Sequence, residues 1–166
     1  MSSEKVDVLV IGAGPSGTVA ASIINKAGLK VKIVEREKFP RFQIGESRLP
    51  RCMDPLQDAG FLSRLEKQGF QQKTGAKFVN IDKRVMDFNF SDQFTKGWSW
   101  TYQVPRADFD NVLAKETERM GVAIEYESTV TDIKFEGTNS TTTVFHKNGG
   151  EKKIEARFSV DASGYG

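Results

Sequence analysis

At 166 residues, with 38% apolar and 10% aromatic content, the chain has enough material for one domain with a real hydrophobic core. Its 24 basic residues are offset by 22 acidic ones, and a net charge of +2 supplies no field to gather nucleic acid or a membrane surface. A single cysteine, Cys52, excludes an internal disulfide, and with a single histidine, His146, there is no CxxC or HExxH spacing for a structural metal; a reducing, cytoplasmic setting is the simplest expectation.

Residues 6–11 (VDVLVI) form a nearly continuous apolar run rich in β-branched side chains, which predicts a strand covered on both faces in a parallel sheet. A helix should follow. Pro15 suits its first turn, and Val19, Ala20, Ile23, Ile24 and Ala27 recur at helical spacing until Gly28 supplies a stop. The segment 29–35 (LKVKIVE) alternates and ends on an acid. Strand, helix and strand within ~30 residues predict a right-handed parallel crossover.

Residues 36–50 read as a basic loop, and 52–69 as one or two short helices broken near Gly60. The segments AKFVNID, RVMDFNF and WSWTYQV then alternate with a period of two, which predicts antiparallel strands of a half-exposed sheet. RADFDNVLAKETERMG returns to helical spacing through Phe109, Val112, Leu113 and Met120 and stops at Gly121. In the tail, turns at Gly137 and at Asn148-Gly149 predict a meander of short strands, after which Phe158 to Asp161 returns as a core strand. No repeat, low-complexity tract, secretory cleavage site or apolar run near the ~20 residues of a membrane span interrupts this order. Cys52 and His146 lack an adjacent base or orienting group, so they read as a buried thiol and a surface imidazole.

Gly12, Gly14 and Gly17 give G-x-G-x-x-G between the first strand and its helix. Such a turn is tight, brings bare backbone against a pyrophosphate, and offers it the unpaired amides of a helix N-terminus. Glu35 stands at the end of the second strand, about 20 residues on, where a carboxylate can accept hydrogen bonds from both hydroxyls of an adenosine ribose and disfavours a 2′-phosphate. Together these residues predict dinucleotide binding. The glycines alone leave FAD and NAD open. An NAD dehydrogenase would be expected to continue in strand and helix alternation, whereas here a loop, an antiparallel patch and a meander come first.

GAGPSG, the ending IVERE, the loop FPRFQIGESRLP, the segment YQVPRADFDNVLAKE and the closing VDASG together resemble the superfamily of FAD-dependent monooxygenases, geranylgeranyl reductases and flavin-dependent halogenases. GESxxP with YQVxRxxFD is more specific than the glycines and resembles the halogenase and reductase branch. The resemblance implies an α/β fold: a Rossmann-like FAD-binding domain with a parallel sheet, a three-stranded β-meander and a partial antiparallel substrate-domain sheet. On this basis 1–75 hold the FAD-binding βαβ unit and flavin-bordering loop, 76–104 the antiparallel strands, and 105–166 the return to the FAD-binding domain.

The resemblance also implies roles residue by residue. Gly12, Gly14, Pro15, Ser16 and Gly17 would form the pyrophosphate turn; Glu35 would hold the ribose, with Arg36 beside the adenosine. Arg41, Gly45, Glu46 and Ser47 match the flavin-bordering loop, and Arg106 would lie against the FAD phosphates or ribityl chain. The Val130 backbone would meet the adenine edge, and Asp161, Ala162 and Gly164 match the strand end that approaches the cofactor again. On pattern alone, Arg106 could simply start its helix, Asp161 cap a turn, and Val130 fill a core strand.

In the halogenase branch a lysine lies between flavin and substrate, and FQQKTGAKF holds Lys73 and Lys77. Lys73 fits the spacing from the GES loop seen in enzymes acting on phenols and pyrroles, so it is the expected catalytic residue; Lys77-Phe78 echoes the tryptophan enzymes. An ammonium beside a flavin can bind an anionic oxidant or donate a proton. Trp98-Ser99-Trp100 with Pro105 resembles the W-x-W-x-I-P motif of halogenases, but the proline comes two places too late. The tryptophans are expected to fill one face of a sheet or line the substrate side.

Members of this superfamily continue past VDASG, so the chain is expected to be the N-terminal FAD-binding portion of a longer flavoprotein oxidoreductase. Its substrate would be a small organic molecule, its electron donor a separate flavin reductase or NAD(P)H. The rival readings are a nicotinamide-binding module without flavin and a noncatalytic dinucleotide-binding domain.

Overall fold

In the computed structural model, which describes residues 3–164, the first strand β1 (Ser3–Ile11) runs into α1 (Pro15–Lys26) and then β2 (Val31–Val34). β1 and β2 pair in parallel, as the spacing predicts. Val8, Leu9 and Val10 are all buried, which requires cover on both faces of the sheet. The alternation in β2 is misleading, because Lys32 is only 8% exposed. Its ammonium reaches Glu4 Oε2 at 2.6 Å and Glu125 Oε2 at 2.8 Å. Lys152 also pairs with both carboxylates, so a chain of alternating charge crosses the sheet. Burial opposes the charge on Lys32, but hydrogen bonds to Glu125 and Glu4 prevail and hold its pKa above the ordinary value.

The face of α1 that packs inward is also not the one its aliphatic residues suggest. Gly17, Thr18, Ala21 and Ser22 are buried, while Ile23 is exposed. Gly17 and Ala21 let the helix pack closely on the sheet, and Ser22 meets α4 (Arg106–Arg119): Ser22 Oγ and Thr117 Oγ1 are 3.2 Å apart, and the Thr117 hydroxyl donates to the Leu113 carbonyl.

Between β2 and α4 lie the loop 36–50, the short helices α2 (Met53–Ala59) and α3 (Leu62–Glu66), and four strands. Gly60, at φ +87°, ends α2 in the left-handed conformation, which is the predicted break. β3 (Gln71–Lys73) pairs with β6 (Thr101–Gln103), and β4 (Gly75–Val79) with β5 (Val85–Asn89), so the antiparallel region is two separate ribbons and not one sheet. Trp98 and Trp100 precede β6 and form, with Tyr102, a ladder of edge-on rings with centroids 5.4 and 5.1 Å apart. This ladder packs against the core of α2, α3 and α4 formed by Met53, Leu56, Phe61, Leu65, Phe109 and Leu113.

After α4, β7 (Ala123–Glu125) adds to β2, and β8 (Ser128–Glu136), β9 (Asn139–His146) and β10 (Glu151–Asp161) form the meander. The six strands lie in the order β7-β2-β1-β10-β9-β8; β7, β2, β1 and β10 are parallel, and β9 pairs antiparallel with both β10 and β8. Here the structure differs from the expected separate return strand. β10 is continuous: Glu151 to Ala156 pair with β9 while Lys153 to Asp161 pair with β1. One strand therefore closes the meander and carries Asp161 to the end of β1 opposite Ile11.

Candidate functional site

The carboxyl ends of the parallel strands leave a crevice where ligands of such sheets bind. Here the β1–α1 turn, the residues after β2, the 36–50 loop, β8 and the end of β10 enclose a cleft of about 560 Å³. Gly12 takes φ +99°, and a Cβ on it would lie 2.7 Å from the Ala162 carbonyl oxygen, so only glycine lets this turn press against the end of β10. Gly14 ends the turn in extended conformation and Pro15 occupies the first helical position, with no side chain capping the helix. Gly14, Pro15 and Ser16 line the cleft, and the first-turn amides bring the positive end of the helix dipole to it.

Gly17 does not line the cleft. A Cβ there would overlap the Gly12 carbonyl and stand 3.3 Å from Val10 Cγ1, so its part is close packing of helix on strand.

Glu35 is 4% exposed and lines the cleft. Its carboxylate accepts from the Ala13 amide at 2.7 Å through Oε2 and from the Glu37 amide at 2.9 Å through Oε1. The same residue that faces the cleft thus holds the glycine turn in shape. Carboxylate oxygens offer about four lone-pair sites, so each retains capacity for a ligand hydroxyl. The backbone of Glu35 is fixed too, donating to Glu125 and accepting from Ser128. Arg36 lines the cleft beside it.

The facing wall carries Arg41 and Arg106. Arg106 grips Asp110 with two hydrogen bonds, Nε to Oδ1 at 2.8 Å and Nη2 to Oδ2 at 2.7 Å, while its Nη1 donates to the Ile44 carbonyl at 2.8 Å. Arg41 bridges Glu37 at 2.9 Å and Asp110 at 3.2 Å. Asp110 is buried and so ties α4 to the 36–50 loop through two guanidiniums. Sequence reasoning missed it, although the i, i+4 spacing in RADFD was a usable signal. The contact with the loop joins residues far apart in sequence and left no local trace.

Gly45 takes φ +106°, and a Cβ there would be 3.3 Å from Arg106 Nη1. Gly45, Glu46 and Ser47 do not line the cleft but continue from it to β6: the Val104 amide donates to Glu46 and Ser47 bridges Gln103. Lys73 meets this loop, its ammonium donating to Ser47 Oγ at 2.6 Å and to the Arg48 carbonyl at 3.2 Å, above the Phe90 ring. Lys77 instead forms a surface pair with Asp87 at 2.9 Å.

On the third side, Val130 lines the cleft next to a β-bulge between Val130 and Asp132, and Thr129 and Ile133 join it without having been expected. Asp161, Ala162 and Gly164 line it as well. Asp161 also caps its turn, accepting from the Ser163 hydroxyl at 2.6 Å and amide at 3.0 Å, and these bonds hold its pKa below the ordinary value. Cys52 lies near Thr101 Oγ1 at 3.5 Å, and His146 Nδ1 accepts from the Asn148 amide within its turn; neither lines the cleft. Among the described residues no cluster of His, Cys, Asp and Glu could hold a metal, and no helix is long and apolar enough to cross a membrane.

The sequence profile of the FAD binding domain matches residues 5–166. The solved structure of a flavoprotein/dehydrogenase from Cytophaga hutchinsonii is 67% identical and superposes with a TM-score of 0.93, covering 98% of this chain and 40% of its own. The myxobacterial chondrochloren halogenase is 36% identical with a TM-score of 0.86, covering 96% of this chain and 37% of its own. The flavin-dependent halogenase armH3 of Armillaria mellea is 34% identical over 163 residues, which are 95% of this chain and 32% of that protein. The chain thus spans about a third of the length of that curated relative. The profile match favours flavin over the nicotinamide reading that the glycine turn alone left open.

Proposed function

The chain belongs to the FAD-binding-domain family, and from that premise we propose that its cleft holds the adenosine diphosphate half of FAD within a flavoprotein oxidoreductase acting on a small aromatic or apolar organic substrate. One observation carries the reading: the glycine turn, a buried Glu35 with spare acceptor capacity, and two positioned arginines face a single cleft. The first-turn amides suit the pyrophosphate, Glu35 the ribose hydroxyls, Arg106 and Arg41 the phosphate charge, and the Val130 backbone the adenine edge. Arg36, Asp161, Ala162 and Gly164 complete the walls. Gly12 is the cradle position, where the backbone must stay bare.

Bound FAD would supply the redox chemistry. The chain's own residues bind, orient and move protons around it. Gly17 contributes by keeping α1 close to β1, and Asp110 by fixing Arg106 and Arg41 in place. Gly45, Glu46 and Ser47 border the flavin end, and Lys73 is anchored on that border through Ser47. We assign Lys73 the catalytic part: its ammonium can hold an anionic oxidant or deliver a proton to the substrate side. Lys77, paired at the surface, is not assigned one.

The printed descriptions of the similar proteins, a flavoprotein/dehydrogenase and flavin-dependent halogenases, support dehydrogenation or reduction and halogenation as the reaction classes. Electrons would come from a separate flavin reductase or from NAD(P)H. Purifying the complete polypeptide tests the reading. It should be yellow with a flavin absorption band; a colourless protein that takes up NADH but not FAD would overturn it.

A further inference from the structure

Arg41 reaches the cleft from the 36–50 loop with two of its three guanidinium nitrogens already engaged. Nε donates to Glu37 Oε2 at 2.9 Å and Nη1 to Asp110 Oδ2 at 3.2 Å. Nη2 has no partner among the described residues. It stands 3.8 Å from the place a Cβ on Gly14 would take, and so faces the glycine turn. Asp110 fixes where the group lies, but Glu37 is 47% exposed, where an ion pair contributes little. The plane of the group needs a further support.

A flat cation can be held by its face as well as by its edges. The Arg41 guanidinium lies over the Phe39 ring, its central carbon 4.7 Å from the ring centroid. Phe39 packs on the core of Val8, Val10, Ala13 and Ile33 and meets the Tyr126 ring, with centroids 5.7 Å apart and planes at 58°. Tyr126 is itself fixed, because Glu125 and Ser128 on either side of it pair with the Glu35 main chain. Burial first, and then the charges of Glu118 and Glu35, raise its pKa, so the phenol stays protonated and donates to Glu118 of α4. Neither Phe39 nor Tyr126 lines the cleft.

We propose that Phe39, wedged by Tyr126, is a positioning residue: its ring sets the plane of the Arg41 guanidinium and so aims Nη2 at a diphosphate over the glycine turn. This rests on the cleft's holding the adenosine diphosphate half of FAD. Phe39 acts only through Arg41, and Arg41 faces the phosphates. Loss of the ring should therefore weaken the hold on the phosphates and spare the nucleoside.

The test is a calorimetric titration of the flavin-free complete polypeptide with ADP and with adenosine. The parent should bind ADP more tightly than adenosine. In Phe39→Leu, which keeps the apolar packing but removes the ring face, ADP affinity should fall about three- to tenfold while adenosine affinity stays within about twofold. Tyr126→Leu, which removes the wedge, should show the same selective loss and carries the test if Phe39→Leu fails to fold. Tyr126→Phe, which keeps the ring, should retain the parent's preference for ADP. In Arg41→Met that preference should shrink, and adding Phe39→Leu should change it no further, since the group that Phe39 positions is gone. A merely structural role would weaken both ligands alike. Equal losses for ADP and adenosine, an unchanged ADP affinity, or a further selective loss in the double variant would overturn the proposal and leave the reading of the cleft standing. A parent that binds neither ligand would overturn that reading itself.

Discussion

Replacing Glu35 by Gln changes one oxygen to an amide nitrogen at a buried carboxylate that serves two backbone donors. The Ala13 amide lies 2.7 Å from one oxygen and the Glu37 amide 2.9 Å from the other. A glutamine can accept from only one of them, and its own NH₂ then faces the other N–H. Leaving one buried donor unmet costs about 1–3 kcal/mol. For a chain of this size each kcal/mol lowers the melting temperature by about 2–4 °C. The loss of charge acts separately on the ligand. If ribose hydroxyls donate to this carboxylate, losing a charged acceptor weakens FAD by about 1.5–3 kcal/mol, or roughly 10- to 150-fold. Flavin fluorescence titration measures the second effect, and melting curves with and without FAD measure the first. Glu35→Ala should be worse on both counts, since it removes both acceptors. Unchanged FAD affinity in both variants would refute the ribose assignment; an unchanged melting temperature in Glu35→Gln would refute the bracing of the glycine turn.

Lys73→Met should keep flavin bound yet lower turnover by about 100-fold or more, the scale of a lost proton-transfer group, whereas Lys77→Met should leave it nearly unchanged; steady-state rates at equal flavin loading decide this. Gly17→Ala forces a methyl onto the Gly12 carbonyl and should cost about 1–3 kcal/mol by overpacking, read as a lower melting temperature and loss of FAD on gel filtration. Glu116 is held by Arg119 and then Arg64 at a pKa of about 2 against an ordinary 4.5, so its pairing stabilises the fold above pH 4.5 and is lost as pH falls toward 2. Both arginines are largely solvent-exposed, so the contribution is about 1 kcal/mol. Glu116→Gln should flatten the acid limb of denaturation between those values and leave the neutral limb parallel to the parent's; an unaltered acid limb would exclude the pairing as a source of stability.

The crossover from β1 through α1 to β2 was legible in the sequence because apolar period, turn glycines and the closing acid all signal locally. Most of the cleft followed: Gly12, Gly14 and Glu35 stand at element ends that local patterns mark, whereas Arg106, Val130 and Asp161 came from the family resemblance. Features that depend on a distant partner were hidden. Ser22 lies outside the aliphatic positions that mark α1, yet it is buried because α4 brings Thr117 to it. Lys32 occupies a polar position of the alternating segment 29–35, and its burial follows only from Glu4 and Glu125 on either side of it. Asp110 gains its meaning only when the 36–50 loop folds onto α4. The continuity of β10 was hidden for another reason: its two halves pair with different neighbours over residues 151–161, and a period of two cannot tell one long strand from two short ones.

The most direct measurement is a crystal structure of the complete polypeptide with FAD. The diphosphate should lie over the Gly12–Ser16 turn and the adenosine ribose hydroxyls within hydrogen-bonding distance of Glu35, with Arg106 still gripped by Asp110. FAD bound elsewhere, with the cleft filled by side chains and Glu35 turned away from the nucleotide, would contradict it.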